Sequence, residues 1–216
     1  MVSLVDQTRS VEPTEENLRA WTDAHGRGEP PVEPGLPEAV RERLPGLGGR
    51  HVLQLGGGPS RAAELAELGA LVTAVASSPE TIADGHEAAP TVAWIAADLE
   101  ALPVELRRGR FHLVLAEVDG VRDAKAWAAG VEAALLPGGY ALVFGAHPAG
   151  SRLDAMLRWR GDYFDGELPT LGSFVTALAR SGLVVRRLEE LPSLHPQRRR
   201  GAFPSAFVLV AVRPLS

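Results

Sequence analysis

Three consecutive glycines, Gly56, Gly57 and Gly58, follow the apolar segment HVLQL at 51–55 and precede a helix-forming segment at 61–69. Glycine lets the backbone turn tightly and approach a ligand, and the first turn of a helix offers unpaired N–H groups. The segment therefore predicts a ligand-binding loop between a strand and a helix. A tight turn that binds nothing has the same pattern and is the alternative at this point.

Two acids and a histidine follow later apolar segments. Glu117 and Asp119 come at the end of FHLVLAEV, and His147 lies just past YALVFG. Ligands of open α/β sheets bind at the carboxyl ends of the strands. Histidine can accept a proton near neutral pH, so we predict His147 and Glu117 as catalytic residues and Asp119 as a substrate contact. Strand-end capping or a solvated loop position is the alternative for each.

Aromatic residues are candidates for an apolar binding wall. Trp159, Tyr163 and Phe164 lie in the segment 147–167, and their rings could line a substrate site. Trp21 lies in a predicted helix over 15–25 and could belong to a lid over the site. Packing against the sheet, or against a neighbouring helix, is the alternative for these residues.

The elements that must position these residues alternate between strand and helix. The pattern predicts strands at 51–55, 71–76, 92–98, 111–118 and 140–145, with helices at 61–69, from 79 onward with Ser78 as its N-cap, and at 123–136. The strands are short and mostly apolar, as in parallel sheets covered by helices on both faces. This alternation predicts the α/β class with a Rossmann-like, doubly wound and mostly parallel sheet.

The two ends of the chain depart from this alternation. After a helix that begins at Thr170 or Leu171, two strands at 183–191 and 206–214 are joined by a loop without a crossover helix. That connection predicts antiparallel pairing, and therefore a seven-stranded sheet with an antiparallel C-terminal strand. Residues 1–49 are predicted to form a helical N-terminal extension or lid, and 50–216 the sheet domain.

Composition excludes several classes of function. The net charge of −5 argues against broad nucleic-acid binding, which needs a basic surface. The absence of cysteine excludes thiolate nucleophiles and thiolate metal sites, and the scattered histidines predict no metal. No apolar run approaches the ~20 residues of a membrane span, and we expect a cytoplasmic protein. The glycine loop also lacks the Lys-Ser/Thr pair of a P-loop, which argues against hydrolysis of nucleoside triphosphates.

The order and spacing of these segments resemble the class I S-adenosylmethionine-dependent methyltransferases, over roughly residues 50–214. The resemblance rests on VLQLGGGPSRAAELAELGALVTAVASSPE, the aspartate of AAD at 96–98, FHLVLAEV and LLPGGYALVF. ENLRAWTDA and PTLGSFVTALARSGLVVRRLEELP look like segments of bacterial small-molecule members. The resemblance implies S-adenosylmethionine as cofactor and methyl transfer to a small molecule, which we expect to belong to bacterial secondary metabolism.

The resemblance also implies which residues bind the cofactor. The glycine loop, with Gly56 and Gly58 matching and Gly57 between them, would admit the methionine portion. Asp98 matches the family's contact to the adenine amine, and we assign Leu99 to the same site.

Three positions depart from the family pattern. Gln54 stands where an acid usually lies near the cofactor's amino group, and Ser60 replaces the third glycine of the loop. Ala76 replaces the acid that accepts from both ribose hydroxyls, and Ser77 beside it could supply a hydroxyl instead.

These departures leave alternative functions open. One is a methyltransferase-fold enzyme that catalyses a cofactor-independent cyclisation or isomerisation, and another is a non-catalytic partner protein. A nicotinamide dehydrogenase fits the glycine loop but not the antiparallel C-terminal strand. We expect a small-molecule substrate, no nucleic acid and no membrane, and we leave a homodimer open.

Overall fold

The computed structural model describes residues 35–152, 159–164, 168–192 and 204–215. Its strands are β1 His51–Leu55, β2 Leu71–Ala76, β3 Ala93–Ala96, β4 Phe111–Glu117, β5 Leu135–Ala146, β6 Val184–Leu191 and β7 Ala206–Val212. Its helices are α1 Glu38–Arg41, α2 Pro59–Glu67, α3 Pro79–Ala88, α4 Ala124–Ala134 and α5 Leu171–Arg180, with a 3-10 helix at Pro148–Arg152. None of these helices has the length and apolar character needed to cross a bilayer.

All seven strands form one sheet in the order β3-β2-β1-β4-β5-β7-β6. Strands β1 to β5 pair in parallel, whereas β7 is antiparallel to both of its neighbours, β5 and β6. Six strands therefore share one direction and only β7 opposes them. This architecture confirms the predicted Rossmann-like, mostly parallel seven-stranded sheet with an antiparallel C-terminal strand.

The fifth strand is longer than the predicted 140–145 because the turn at 137–139 forms part of the strand. The segment at 137–139 forms an irregularity at which the register with β4 shifts. Gly138 has a φ of 78°, and its N–H donates to the Arg213 carbonyl at 2.8 Å. Arg213 N–H in turn donates to the Gly139 carbonyl at 2.9 Å. The chain therefore bends at these glycines without leaving the sheet.

The core consists of two clusters, one on each face of the sheet. The first includes Val114, Trp127, Phe174 and Phe207, and the second includes Leu36, Val40, Leu47, Leu65, Leu115 and Phe144. Neighbouring residues of β4 alternate between the two clusters, as the period of a strand requires. Residues 36–47 therefore pack on the second face. The predicted boundary at residue 50 stays a prediction, since 1–34, including Trp21, lie outside the described residues.

Side-chain caps fix where three helices begin. Ser78 Oγ accepts from the Thr81 N–H at 3.3 Å, as the sequence predicted. Asp123 caps α4, and Thr170 Oγ1 accepts from the Ser173 N–H at 3.1 Å at the start of α5. Such caps satisfy N–H groups that a helix leaves unpaired in its first turn. Each of these helices follows the carboxyl end of a strand, so the caps also define that edge of the sheet.

The contact between α3 and β3 gives a test of the packing. A Cβ added to Gly85 would overlap the ring of Trp94. Gly85→Ala should lower the free energy of unfolding by about 1–3 kcal/mol, the usual cost of overpacking. Gly172→Ala is the control, because its Cβ would meet only Thr170 Oγ1 at 3.7 Å. Urea unfolding measures both variants, and a Gly85→Ala protein as stable as wild type would contradict this packing.

Candidate functional site

The glycine loop leaves the carboxyl end of β1 in a conformation that requires glycine. Gly56 and Gly57 have φ values of 69° and 73°, in the left-handed region. Gly58 is the N-cap of α2, and Pro59 occupies the first turn. A Cβ at Gly56 would lie 3.1 Å from the backbone oxygen of Glu117 and 3.5 Å from Leu99 Cδ1. The loop therefore approaches the end of β4 and Leu99 as closely as a backbone can.

The Gln54 side chain is hydrogen-bonded to this loop. The side chain is only 2% exposed, and its Nε2 donates to the Gly56 carbonyl at 3.1 Å and to the Gly58 carbonyl at 3.3 Å. Gln54 Oε1 is buried and has no hydrogen-bond partner within the described ranges. A carboxylate at this position could not donate to either carbonyl. The Gln54 amide therefore stabilises the conformation of the loop.

An ion pair that the sequence analysis missed lies on the loop. Arg61, in the first turns of α2, pairs through Nη1 with Glu117 Oε2, and the side chains are 15% and 18% exposed. A Cβ at Gly57 would lie 2.9 Å from Arg61 Nη1 and 3.3 Å from Glu117 Oε2. The sequence feature that could have pointed to Arg61 was its position in the first turn of the helix after the loop.

The other predicted cofactor residues lie along the same edge of the sheet. Ser77 and Asp98 are exposed and follow β2 and β3, which are neighbouring strands. Asp98 Oδ1 accepts from the Glu100 N–H at 2.9 Å, which orients the carboxylate. Ala76 is buried at the end of β2 and offers no acceptor side chain. Ser60 lines a groove between α2 and the end of α3.

A cavity of about 420 Å³ opens at the carboxyl ends of β4 and β5. Its lining is mostly apolar, with two charged or titratable residues, and comprises Val118, Asp119, Gly120, Val121, Ala146, His147, Pro148, Gly150, Leu168, Pro169, Phe174 and Ser205. Apolar pockets with a few polar groups are typical of small-molecule sites. The structure thus brings Asp119 and His147 together, whereas Glu117 contacts the glycine loop.

His147 is buried, and both of its ring nitrogens have hydrogen-bond partners. Its Nδ1 accepts from the Ala149 N–H at 3.2 Å, and its Nε2 lies 2.8 Å from Glu190 Oε1. With Nδ1 acting as acceptor, the neutral ring carries its proton on Nε2 and donates it to Glu190. Glu190 fixes the ring and was not predicted. It lies near the carboxyl end of β6, which the strand order brings to the same edge as β5.

Asp119 and the aromatic residues also have structural partners. Asp119 Oδ1 accepts from the Ala146 N–H at 3.0 Å and so joins the ends of β4 and β5. The Tyr163 hydroxyl accepts from the Leu171 N–H at 3.1 Å, at the start of α5. The ring centroids of Trp159 and Phe164 lie 6.4 Å and 5.2 Å from that of Tyr163. The three rings form one group, and their predicted role in binding substrate stays a prediction.

Metal binding was not expected from the sequence. Among the residues that the structure describes, no three histidine or acidic side chains are grouped in a way that could hold an ion.

Neither a family model nor a curated protein matches the sequence. Solved structures do match. An S-adenosylmethionine-dependent methyltransferase from Mesorhizobium loti superimposes with a TM-score of 0.67 at 26% identity, over 81% of this chain and 96% of that one.

Two further structures show how widely the fold is used. Geranyl diphosphate C-methyltransferase from Streptomyces coelicolor, solved with S-adenosyl-L-homocysteine, matches with a TM-score of 0.60 at 15% identity, over 82% of this chain and 74% of that one. The cyclase SpnF matches with a TM-score of 0.62 at 16% identity, over 84% of this chain and 81% of that one. These two likenesses concern the fold alone.

The sheet order, the glycine loop and these matches together define the class I methyltransferase fold. Within it, the chain resembles the S-adenosylmethionine-dependent methyltransferases, as the sequence motifs predicted.

The hydrogen bonds of Gln54 predict that the acid usual in the family would destabilise this protein at position 54. Gln54→Glu would supply the family's acid, yet we expect it to destabilise the protein at pH 7. Each buried carbonyl left without a donor costs about 1–3 kcal/mol. Acidic pH should reduce the loss relative to wild type, because a protonated carboxyl can donate one bond.

Gln54→Met is the matched control for charge. It removes the same two bonds without adding a charge, so its loss of stability should be similar at both pH values. Urea unfolding at pH 5 and pH 7 would measure the three proteins. A Gln54→Glu variant as stable as wild type at pH 7 would refute the role assigned to the amide.

Proposed function

We propose that this protein binds S-adenosylmethionine at the glycine loop and transfers its methyl group to a small molecule in the neighbouring cavity. One observation carries the proposal: the end of β4 belongs to both sites. Glu117 overlies Gly56 and Gly57, and Val118 and Asp119 immediately after it line the cavity. A cofactor on the loop and a substrate in the cavity would therefore be neighbours.

The residues at the loop fit the cofactor in part. The close backbone approach at Gly56 and the unpartnered Gln54 Oε1 suit the methionine portion, and Asp98 and Leu99 suit the adenine. Ser77 is the exposed hydroxyl nearest in sequence to the missing ribose acid. Because a hydrogen bond to a charged group contributes about 1.5–3 kcal/mol, we expect affinity lower by ~10- to 100-fold than with an acid at position 76.

The cavity favours a small and largely apolar substrate. Val121, Leu168 and Phe174 would bury its apolar part, and Asp119 and His147 would orient a polar group. S-adenosylmethionine supplies an electrophilic methyl group when it is bound. The chain itself contributes alignment and exclusion of water, which account for much of the rate in transfers of this kind. His147 can accept a proton at Nδ1 when the Ala149 N–H releases that atom.

A second candidate is cofactor-independent chemistry, such as cyclisation, in the same cavity. The buried Ala76 in place of the ribose acid favours it, and the likeness to SpnF shows that a cyclase is found on this fold. The two candidates differ in one requirement. A methyltransferase gives no product without S-adenosylmethionine, whereas a cyclase turns over its substrate without it. The expected setting for either is bacterial secondary metabolism in the cytoplasm, and a homodimer stays an open prediction.

Calorimetric titration with S-adenosylhomocysteine tests the proposal directly. We expect micromolar binding by wild-type protein. Gly56→Val should abolish it, because valine tolerates neither a φ of 69° nor a Cβ 3.1 Å from the Glu117 carbonyl. Asp98→Ala should weaken it by ~10- to 100-fold, the loss of one charged hydrogen bond.

Gly46→Ala is the matched control for these variants, since a Cβ there meets nothing within 4 Å. It should bind as wild type does. No binding by wild-type protein at millimolar ligand would exclude the methyltransferase proposal and favour the cofactor-independent one.

A further inference from the structure

A charged pair lies on the glycine loop. Arg61 reaches it from α2 and Glu117 from the end of β4, and both side chains are mostly buried. Gly57 accommodates the pair because it has no Cβ, which would approach both partners. The pair therefore lies directly against Gly57 of the loop.

Two side-chain atoms, one in this pair and one in the residue that binds the loop carbonyls, are buried without a hydrogen-bond partner in the ranges that the structure describes. They are Gln54 Oε1, an acceptor, and Arg61 Nε, a donor. Buried polar atoms are nearly always paired in proteins, so each needs an explanation. The Gln54 amide cannot turn over to relieve Oε1 without losing the bonds from Nε2 to Gly56 and Gly58.

These groups define the chemistry of a matching ligand. An ammonium could pair with the Glu117 carboxylate, and Gln54 Oε1 is a second acceptor at the same loop. A carboxylate could accept from the Arg61 guanidinium, whose planar donors form paired bonds with carboxylates. An α-amino acid carries both groups on one carbon. Glu117 supplies a negative charge for the ammonium, whereas the Gln54 amide is neutral.

We propose that Arg61 and Glu117 form the receptor for the α-amino-acid end of the ligand, and that their ion pair opens when the ligand binds. The inference rests on the proposed function, because the methionine portion of S-adenosylmethionine ends in such a group. The Arg61–Glu117 pair would be replaced by two pairs, Arg61 with the ligand carboxylate and Glu117 with the ligand ammonium. Neither buried charge is then left uncompensated. The Phe144 ring, 5.5 Å from the Arg61 guanidinium carbon, keeps that group at the loop during the exchange.

The experiment compares two ligands that differ only at this end. S-adenosylhomocysteine carries the amino acid, whereas 5′-methylthioadenosine is a nucleoside thioether that lacks it. Calorimetric titration of Glu117→Gln and Arg61→Gln should show S-adenosylhomocysteine binding weakened on the order of 10- to 100-fold. Binding of 5′-methylthioadenosine should be unchanged. This difference between ligands separates recognition of the amino acid from general damage to the loop.

Two further variants act as controls. Glu132→Gln breaks a comparable pair, between Glu132 Oε1 and Arg213 Nε at 3.0 Å, and should bind both ligands as wild type does. Arg61→Lys keeps the charge but loses Nε–H and the planar donors. It should weaken S-adenosylhomocysteine binding alone, and it serves in place of Arg61→Gln should that variant fail to fold.

Each other outcome overturns the inference. Unchanged S-adenosylhomocysteine binding in the variants would overturn it and leave the proposed function intact. Tighter binding would show that the pair obstructs the loop, and equal weakening of both ligands would show a structural role. Wild-type protein that binds neither ligand would overturn the proposed function and the inference together.

Discussion

The parallel pairing of β1 with β4 is the constraint on which the site depends. Leu55 pairs with Ala116, so Gly56, which follows β1, and Glu117, the last residue of β4, lie side by side. The two core clusters fix this register, because a slip by one residue would turn buried side chains to the opposite face. Such a slip would also bring Ala116 or Val118 to the loop in place of Glu117.

Of the three departures from the family pattern, Gln54 belongs to one connected unit with the glycine loop and the Arg61–Glu117 ion pair. Gln54 satisfies two loop carbonyls, and the loop in turn lies under the Arg61–Glu117 pair. A carboxylate at position 54 would repel the carbonyls that the amide now binds. The acid at the end of β4 lies beside the same glycines, with an arginine that balances its charge. The amide of Gln54 and the ion pair therefore stabilise the same loop.

Local signals in the sequence were enough for most of the fold. Apolar periodicity gave the strands and helices, and Ser78 and the glycines after β1 marked helix starts and the loop. Strand order was not local, since β7 pairs with β5 across a connection that contains α5 and β6. For the same reason the sequence could suggest Glu117 and His147 separately but not their partners. Arg61 lies 56 residues from Glu117, and Glu190 lies 43 from His147.

The position of β7 has a consequence for synthesis of the chain. This strand leaves the ribosome after β6, yet it lies between β5 and β6 and is largely buried. Until residues 206–212 emerge, β5 has an unpaired edge and β6 has no neighbour in the sheet. The cavity is also incomplete until then, because Ser205 forms part of its wall and its carbonyl accepts from the His147 N–H at 2.9 Å. A nascent chain therefore exposes an apolar edge to chaperones and proteases until β7 is inserted.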